Sequence, residues 1–201
     1  MTTNGTLRCR PPATNWGRTV AGCRWAVWLA TGLVVAVLTG CGGPHPCDDG
    51  RTCIPKAGIS LALAAEWRLM SPKDGDNLFV AALDASEAGP GVMLKDGREL
   101  LGWLPTGLDE LEMAALQANN DNIFVTGDAK ADRLELPIGS AVRVRYVRKF
   151  AWMGPFASID YWFFADGRLL VLTYMELSAG GIPADSPAAL DAMIQSITLI
   201  E

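Results

Sequence analysis

The run Tyr161-Trp162-Phe163-Phe164-Ala165-Asp166-Gly167-Arg168-Leu169-Leu170-Val171-Leu172-Thr173-Tyr174-Met175-Glu176-Leu177 decides how this chain folds. Two strand-like segments, 161–165 and 168–177, flank Asp166-Gly167, a two-residue hairpin turn. Such a loop sets the register. Phe164 faces Leu169 and Trp162 faces Val171 on one side of the ribbon, while Phe163 faces Leu170 and Tyr161 faces Leu172 on the other. Both faces are therefore apolar. An antiparallel sheet with one wet face alternates apolar with polar residues, so this hairpin requires cover on both sides.

Two amphipathic segments can supply that cover. Thr106-Gly107-Leu108-Asp109 has the form of a helix N-cap with an acidic residue three positions on, and Glu110 and Glu112 add negative charge to the first turns. Leu108, Leu111, Ala115 and Leu116 recur on one face, which predicts a helix over 108–118 ended by Asn119-Asn120-Asp121-Asn122. A second helix begins at Ser186, with Pro187 in its first turn, and carries Leu190, Ile194 and Ile197 along one side. Upstream, Gly58-Ile59-Ser60-Leu61-Ala62-Leu63 alternates as a strand does. Trp67-Arg68-Leu69-Met70 and 78–83 are further strands, separated by the turn-forming Ser71-Pro72-Lys73-Asp74-Gly75-Asp76. The expected class is α+β, a mostly antiparallel sheet with helices on both faces.

The N-terminal part has a different character. Arg8, Arg10, Arg18 and Arg24 precede an apolar run of 14 residues from Trp25 to Leu38, too short for a spanning helix of about 20 residues. This is the pattern of a secretory signal. Its basic region is long for such a signal, and Val20 offers a later start. The run ends in Leu38-Thr39-Gly40-Cys41, which resembles the bacterial lipobox and implies that Cys41 receives the lipid. Residues 1–40 then form a lipoprotein signal peptide, 41–57 a tether poor in apolar residues, and 58–201 a single globular domain.

Four of the 17 basic residues and none of the 22 acidic ones precede Cys41, so the chain from there on has 13 basic against 22 acidic residues, a net charge of −9. That sign opposes non-specific nucleic-acid binding and repels anionic membrane surfaces, leaving the lipid as the membrane contact. Only Cys47 and Cys53 remain beyond Cys41. In an oxidising compartment, this close pair reads as a small disulfide loop. A metal site formed with His45, Asp48 and Asp49 is the rival reading, but the spacing matches no zinc pattern.

Gly58-Ile59-Ser60-Leu61 with Glu66-Trp67, then Leu136-Pro137-Ile138-Gly139-Ser140-Ala141-Val142-Arg143, the hairpin 161–174 and a closing helix with Ser196-Ile197 follow one another in an order that resembles the PsbP-like α/β/α sandwich. That family includes photosystem II extrinsic subunits, a nuclear-import factor that binds the Ran GTPase, and bacterial envelope lipoproteins of the DcrB and LpqN kinds. The likeness covers about 58–201. Ala64-Ala65 stands where the family often has a proline, and 87–103 does not follow the pattern. The resemblance implies a non-enzymatic protein that binds, stabilises or assists other components, and it carries over no catalytic residues.

Composition agrees on chemistry. His45, in the tether, is the only histidine, which excludes a histidine-dependent nucleophilic centre inside the domain. Asp109, Glu110 and Glu112 lie close enough in sequence for acid–base work, although favouring a helix N-terminus is their simpler role. Asn119 to Asn122 lacks the ligand spacing of a calcium loop. Neither a cofactor nor a metal is expected.

Three features suit binding. Arg143 and Arg145 share one face of a strand, followed by Arg148 and Lys149; together they form either a patch for an acidic partner or a solvated face paired with carboxylates. Trp152, Met153 and Phe156 place large apolar side chains in a hairpin loop, which must fold back onto the domain or meet a partner or membrane. Tyr146, Tyr161, Trp162 and Tyr174 either line an apolar ligand pocket or form plain core. The expected function is a lipid-anchored envelope accessory that binds a protein partner; the alternative is a carrier or sensor of a small apolar molecule or lipid.

Overall fold

The computed structural model describes residues 43–71, 76–83, 90–150, 154–178, 181–183 and 185–200. The signal segment, Val20, Cys41, Trp152, Met153 and most of the turn after Met70 lie outside the described residues. In chain order the elements are β1 (His45–Pro46), β2 (Thr52–Ile54), β3 (Ile59–Leu61), β4 (Arg68–Met70), β5 (Asn77–Ala82), β6 (Gly91–Asp96), α1 (Gly97–Leu101), α2 (Leu108–Asn120), β7 (Val125–Leu136), β8 (Gly139–Phe150), β9 (Gly154–Ala165), β10 (Arg168–Leu177), α3 (Ala188–Gln195) and β11 (Thr198–Leu199).

The hairpin is the centre of the larger sheet. Asp166 and Gly167 take positive φ of 48° and 72°, as the tight two-residue turn demands. Leu169 pairs with Phe164, Leu170 with Phe163, Val171 with Trp162 and Leu172 with Tyr161. The full order is β4-β5-β6-β10-β9-β8-β7, with each neighbour antiparallel to the next. A second sheet runs β1-β2-β3-β11. The larger sheet's edges are β4, only three residues long, and β7, whose Asp128, Lys130, Asp132, Arg133 and Glu135 discourage further strand pairing.

Burial on both faces of the hairpin separates two apolar clusters. Tyr161, Phe163, Leu170, Leu172 and Tyr174 join Leu190, Met193 and Ile194 of α3, together with Ile54, Ile59 and Leu61 of the smaller sheet. On the opposite face Trp162, Leu169 and Val171 join Val142, Val144 and Tyr146 of β8, with Leu111 and Ala115 of α2. The chain is thus α+β, with two mainly antiparallel sheets and few helices. The cover over the first face departs from the expected single helix. At eight residues α3 is only about 12 Å long, too short for a seven-stranded sheet with strands about 4.8 Å apart, and the smaller sheet makes up the difference.

Two boundaries also move. The segment 41–57, read as a tether, contains β2, and its Ile54 and Ala57 are fully buried. A disulfide joins Cys47 to Cys53. Arg51, inside that loop, donates to Ser60 O, Ser196 O and Thr198 Oγ1, tying the loop to the end of the chain. The N-cap of α2 is Gly107, without a side-chain cap. The Thr106 backbone and hydroxyl instead donate to Glu110, at 2.8 and 2.9 Å.

Candidate functional site

Side chains along β9 alternate between the two clusters, and two buried polar positions, Ser158 and Asp160, break the apolar pattern. Asp160 is 3% exposed on the α2 side. A carboxylate held there is costly unless hydrogen-bonded. The Tyr146 hydroxyl donates to both of its oxygens, at 2.9 and 3.0 Å, and Asn119 Nδ2 donates at 3.3 Å. Arg148 Nη2 donates to the Tyr146 hydroxyl at 2.7 Å, with its guanidinium 5.1 Å from the ring centre. Burial, then the Asp160 charge, push the Tyr146 phenol well above its ordinary range, against the opposing pull of Arg148. Tyr146 therefore keeps its proton and remains a donor to Asp160.

Above this buried network lies a groove of about 220 Å³, with Asp160, Trp162 and Thr173 on its floor, Ala118 and Asn119 of α2 on one side, and Lys95 at the β6 end. An adjoining hollow of about 430 Å³ lies between α1 and α2, lined by Leu100, Trp103, Ala114 and Gln117 among others. Leu100, Ala118 and Asn122 border both. The elements here are placed by short-range signals: Asp96 caps α1 by accepting from Arg98 N at 2.9 Å, and Gly102 ends it in the left-handed conformation.

The basic residues do not form one patch. Arg143 and Arg145 do share a strand face, where both bind Asp132 at 2.7 and 3.1 Å, and Arg143 also donates to Ser186. Arg148 falls on the opposite face, against Tyr146, because an odd number of positions separates it from both arginines. Lys149 is exposed. The aromatic group divides likewise. Tyr146 and Trp162 belong to the α2-side cluster, and Tyr161 and Tyr174 to the other, so the four cannot line one pocket. Phe156 is not a loop residue: it lies on β9, 5% exposed, with its ring edge-on to Phe150 at 5.7 Å.

The acidic triplet has structural partners. Arg133 binds Asp109 at 2.7 Å and Glu112 at 2.6 Å. The Thr106 hydrogen bonds, backbone first, lower the Glu110 carboxyl below its ordinary range. Among the described residues no three His, Cys, Asp or Glu side chains converge as a metal site. Asp160, Lys95 and Thr173 were not singled out from the sequence. The available signal was Asp160 itself, the only charged residue in the run 154–165.

No family model and no curated protein matches the chain. A solved structure with some likeness is that of a protein from Bacteroides thetaiotaomicron VPI-5482, determined at 1.50 Å resolution. It shares 9% identity with a TM-score of 0.46, over 80% of this chain and 49% of that one, so the chain spans about half of that protein's length.

Proposed function

We propose that this chain is an exported lipoprotein, held to a membrane through Cys41, whose PsbP-like α/β/α domain works without catalysis by docking a protein partner of the cell envelope on its α1–α2 side. The observation that carries this reading is the apolar rim there. Leu100, Trp103 and Ile123 are 49%, 47% and 88% exposed. Leu100 and Trp103 line the hollow between the helices, and Ile123 follows Asn122, which borders it. Large apolar side chains gathered about a concavity are characteristic of interaction surfaces.

Other features support the remaining parts of the proposal. The lipobox-like 38–41 supports the anchor, and the Cys47–Cys53 disulfide suits an oxidising compartment. The carrier reading is weaker in its original form, because it needs empty space beneath the aromatic side chains, and Tyr146, Tyr161 and Trp162 are packed core. Purification of the full chain from solubilised membranes of its own cell tests the docking surface. A stoichiometric partner should accompany the native chain and be lost from Leu100→Asp and Ile123→Asp; a partner retained by both variants would refute it.

A further inference from the structure

The inner end of the groove has a charge pattern that an apolar docking rim does not account for. Lys95 stands there half-buried, and no carboxylate of the described residues lies within ion-pair distance of it. Asp76, Asp96 and Glu99 line a neighbouring hollow with Lys95, but Asp96 is engaged by Arg98 N and Arg168. Thr173 is 5% exposed and also lines the groove, and its hydroxyl has no hydrogen-bond partner among the described residues. Its oxygen is not sealed from solvent, so the hydroxyl is open to the groove and can donate to a bound group.

The Asp160 carboxylate, by contrast, is already served by Tyr146 and Asn119. Within the groove Lys95 and Arg148 stand against this single carboxylate, while Asp76, Asp96 and Glu99 line the neighbouring hollow that shares Lys95. Its size and walls limit what fits. About 220 Å³ exceeds the roughly 150 Å³ cavity that admits benzene. Leu100, 49% exposed, supplies apolar surface for a flat body, and the nearly buried Val171 and Trp162 also line the groove. Lys95 pairs with Val171, and Met93 with Thr173, so Lys95 and Thr173 are diagonal neighbours about 7–8 Å apart, a gap the lysine stem can close.

We propose that this groove binds a small organic anion: a carboxylate carried on an apolar body about the size of one aromatic ring. The Lys95 ammonium and Thr173 hydroxyl hold the carboxylate, and the ring lies against Trp162 and Leu100. This site goes beyond the docking reading and does not require it.

The test uses the full chain in detergent micelles, titrated calorimetrically with phenylacetate and with phenylacetamide, its neutral isostere. Phenylacetate should bind saturably and the amide about ten-fold more weakly, the effect of one charge-assisted hydrogen bond. Lys95→Met should weaken phenylacetate by about ten-fold, leaving the amide and the thermal midpoint unchanged. Ile123→Asp, which alters the rim alone, should leave phenylacetate binding intact. No saturable heat, equal binding of the two probes, or indifference to Lys95→Met would overturn the site while leaving rim docking untouched. Loss of binding in Ile123→Asp would place the probe at the rim and overturn the assignment as well.

Discussion

The Tyr146 hydroxyl bridges both oxygens of the Asp160 carboxylate inside the apolar cluster beneath α2. Tyr146→Phe keeps the ring and removes the donor, leaving Asp160 with only the longer 3.3 Å contact from Asn119. Stability measured by urea unfolding should fall by about 1–3 kcal/mol, the cost of an unsatisfied buried polar group. An unchanged midpoint would mean that Asp160 is not the buried, charged centre described above.

The chain's three tyrosines, Tyr146, Tyr161 and Tyr174, all titrate abnormally high. Burial raises Tyr161 to about 12. Burial, and then the hydrogen bond to Glu176, raise Tyr174 further. In the unfolded chain each loses its proton near pH 10. The folded state therefore binds more protons above that pH, so stability is fully present below about pH 10 and declines as pH rises through the folded values. Tyrosinate absorbance of the native protein should show no step near pH 10, with a step appearing only on unfolding. A native step there would place at least one tyrosine in solvent.

Gly97 begins α1 against β10. A Cβ at that position would lie 2.5 Å from Leu169 Cγ and 3.2 Å from Leu169 O, and Leu169 is itself 1% exposed. Gly-to-Ala in a helix normally gains up to about 1 kcal/mol, but overpacking typically costs about 1–3 kcal/mol. The clash should win. Gly97→Ala is expected to lower the urea midpoint and loosen the helix that carries Leu100, and a stabilised variant would contradict the α1 packing.

Much of this fold was legible because local signals agreed with tertiary demands. Asp166-Gly167 fixed the register of β9 and β10, and the period of Leu108, Leu111 and Ala115 located α2 within two residues of its end. Strand β6 escaped because Val92 and Leu94 turn to one cluster while Met93 and Lys95 turn to the groove, giving a short run without strong polar alternation. Ile54 escaped because a three-residue strand inside a Gly-, Pro- and Asp-rich segment has no periodicity to detect. The binding residues were harder still. Lys95, Asp160 and Thr173 come from three strands, and only the β6-β10-β9 pairing brings them together. The arginines mislead for the opposite reason: nearness in sequence suggested a patch, while strand alternation sends Arg148 across the sheet from Arg143 and Arg145.

The most direct test of the docking surface is site-specific photocrosslinking of the full chain in its native envelope, with the photoreactive residue placed in turn at Trp103, Ile123, Lys130 and Glu135. Trp103 and Ile123 flank the α1–α2 hollow, whereas Lys130 and Glu135 are exposed on the edge strand β7. The account predicts one discrete crosslinked protein from positions 103 and 123, none from 130 and 135, and its loss when Leu100→Asp is added. The same product from all four positions, or from β7 alone, would contradict it.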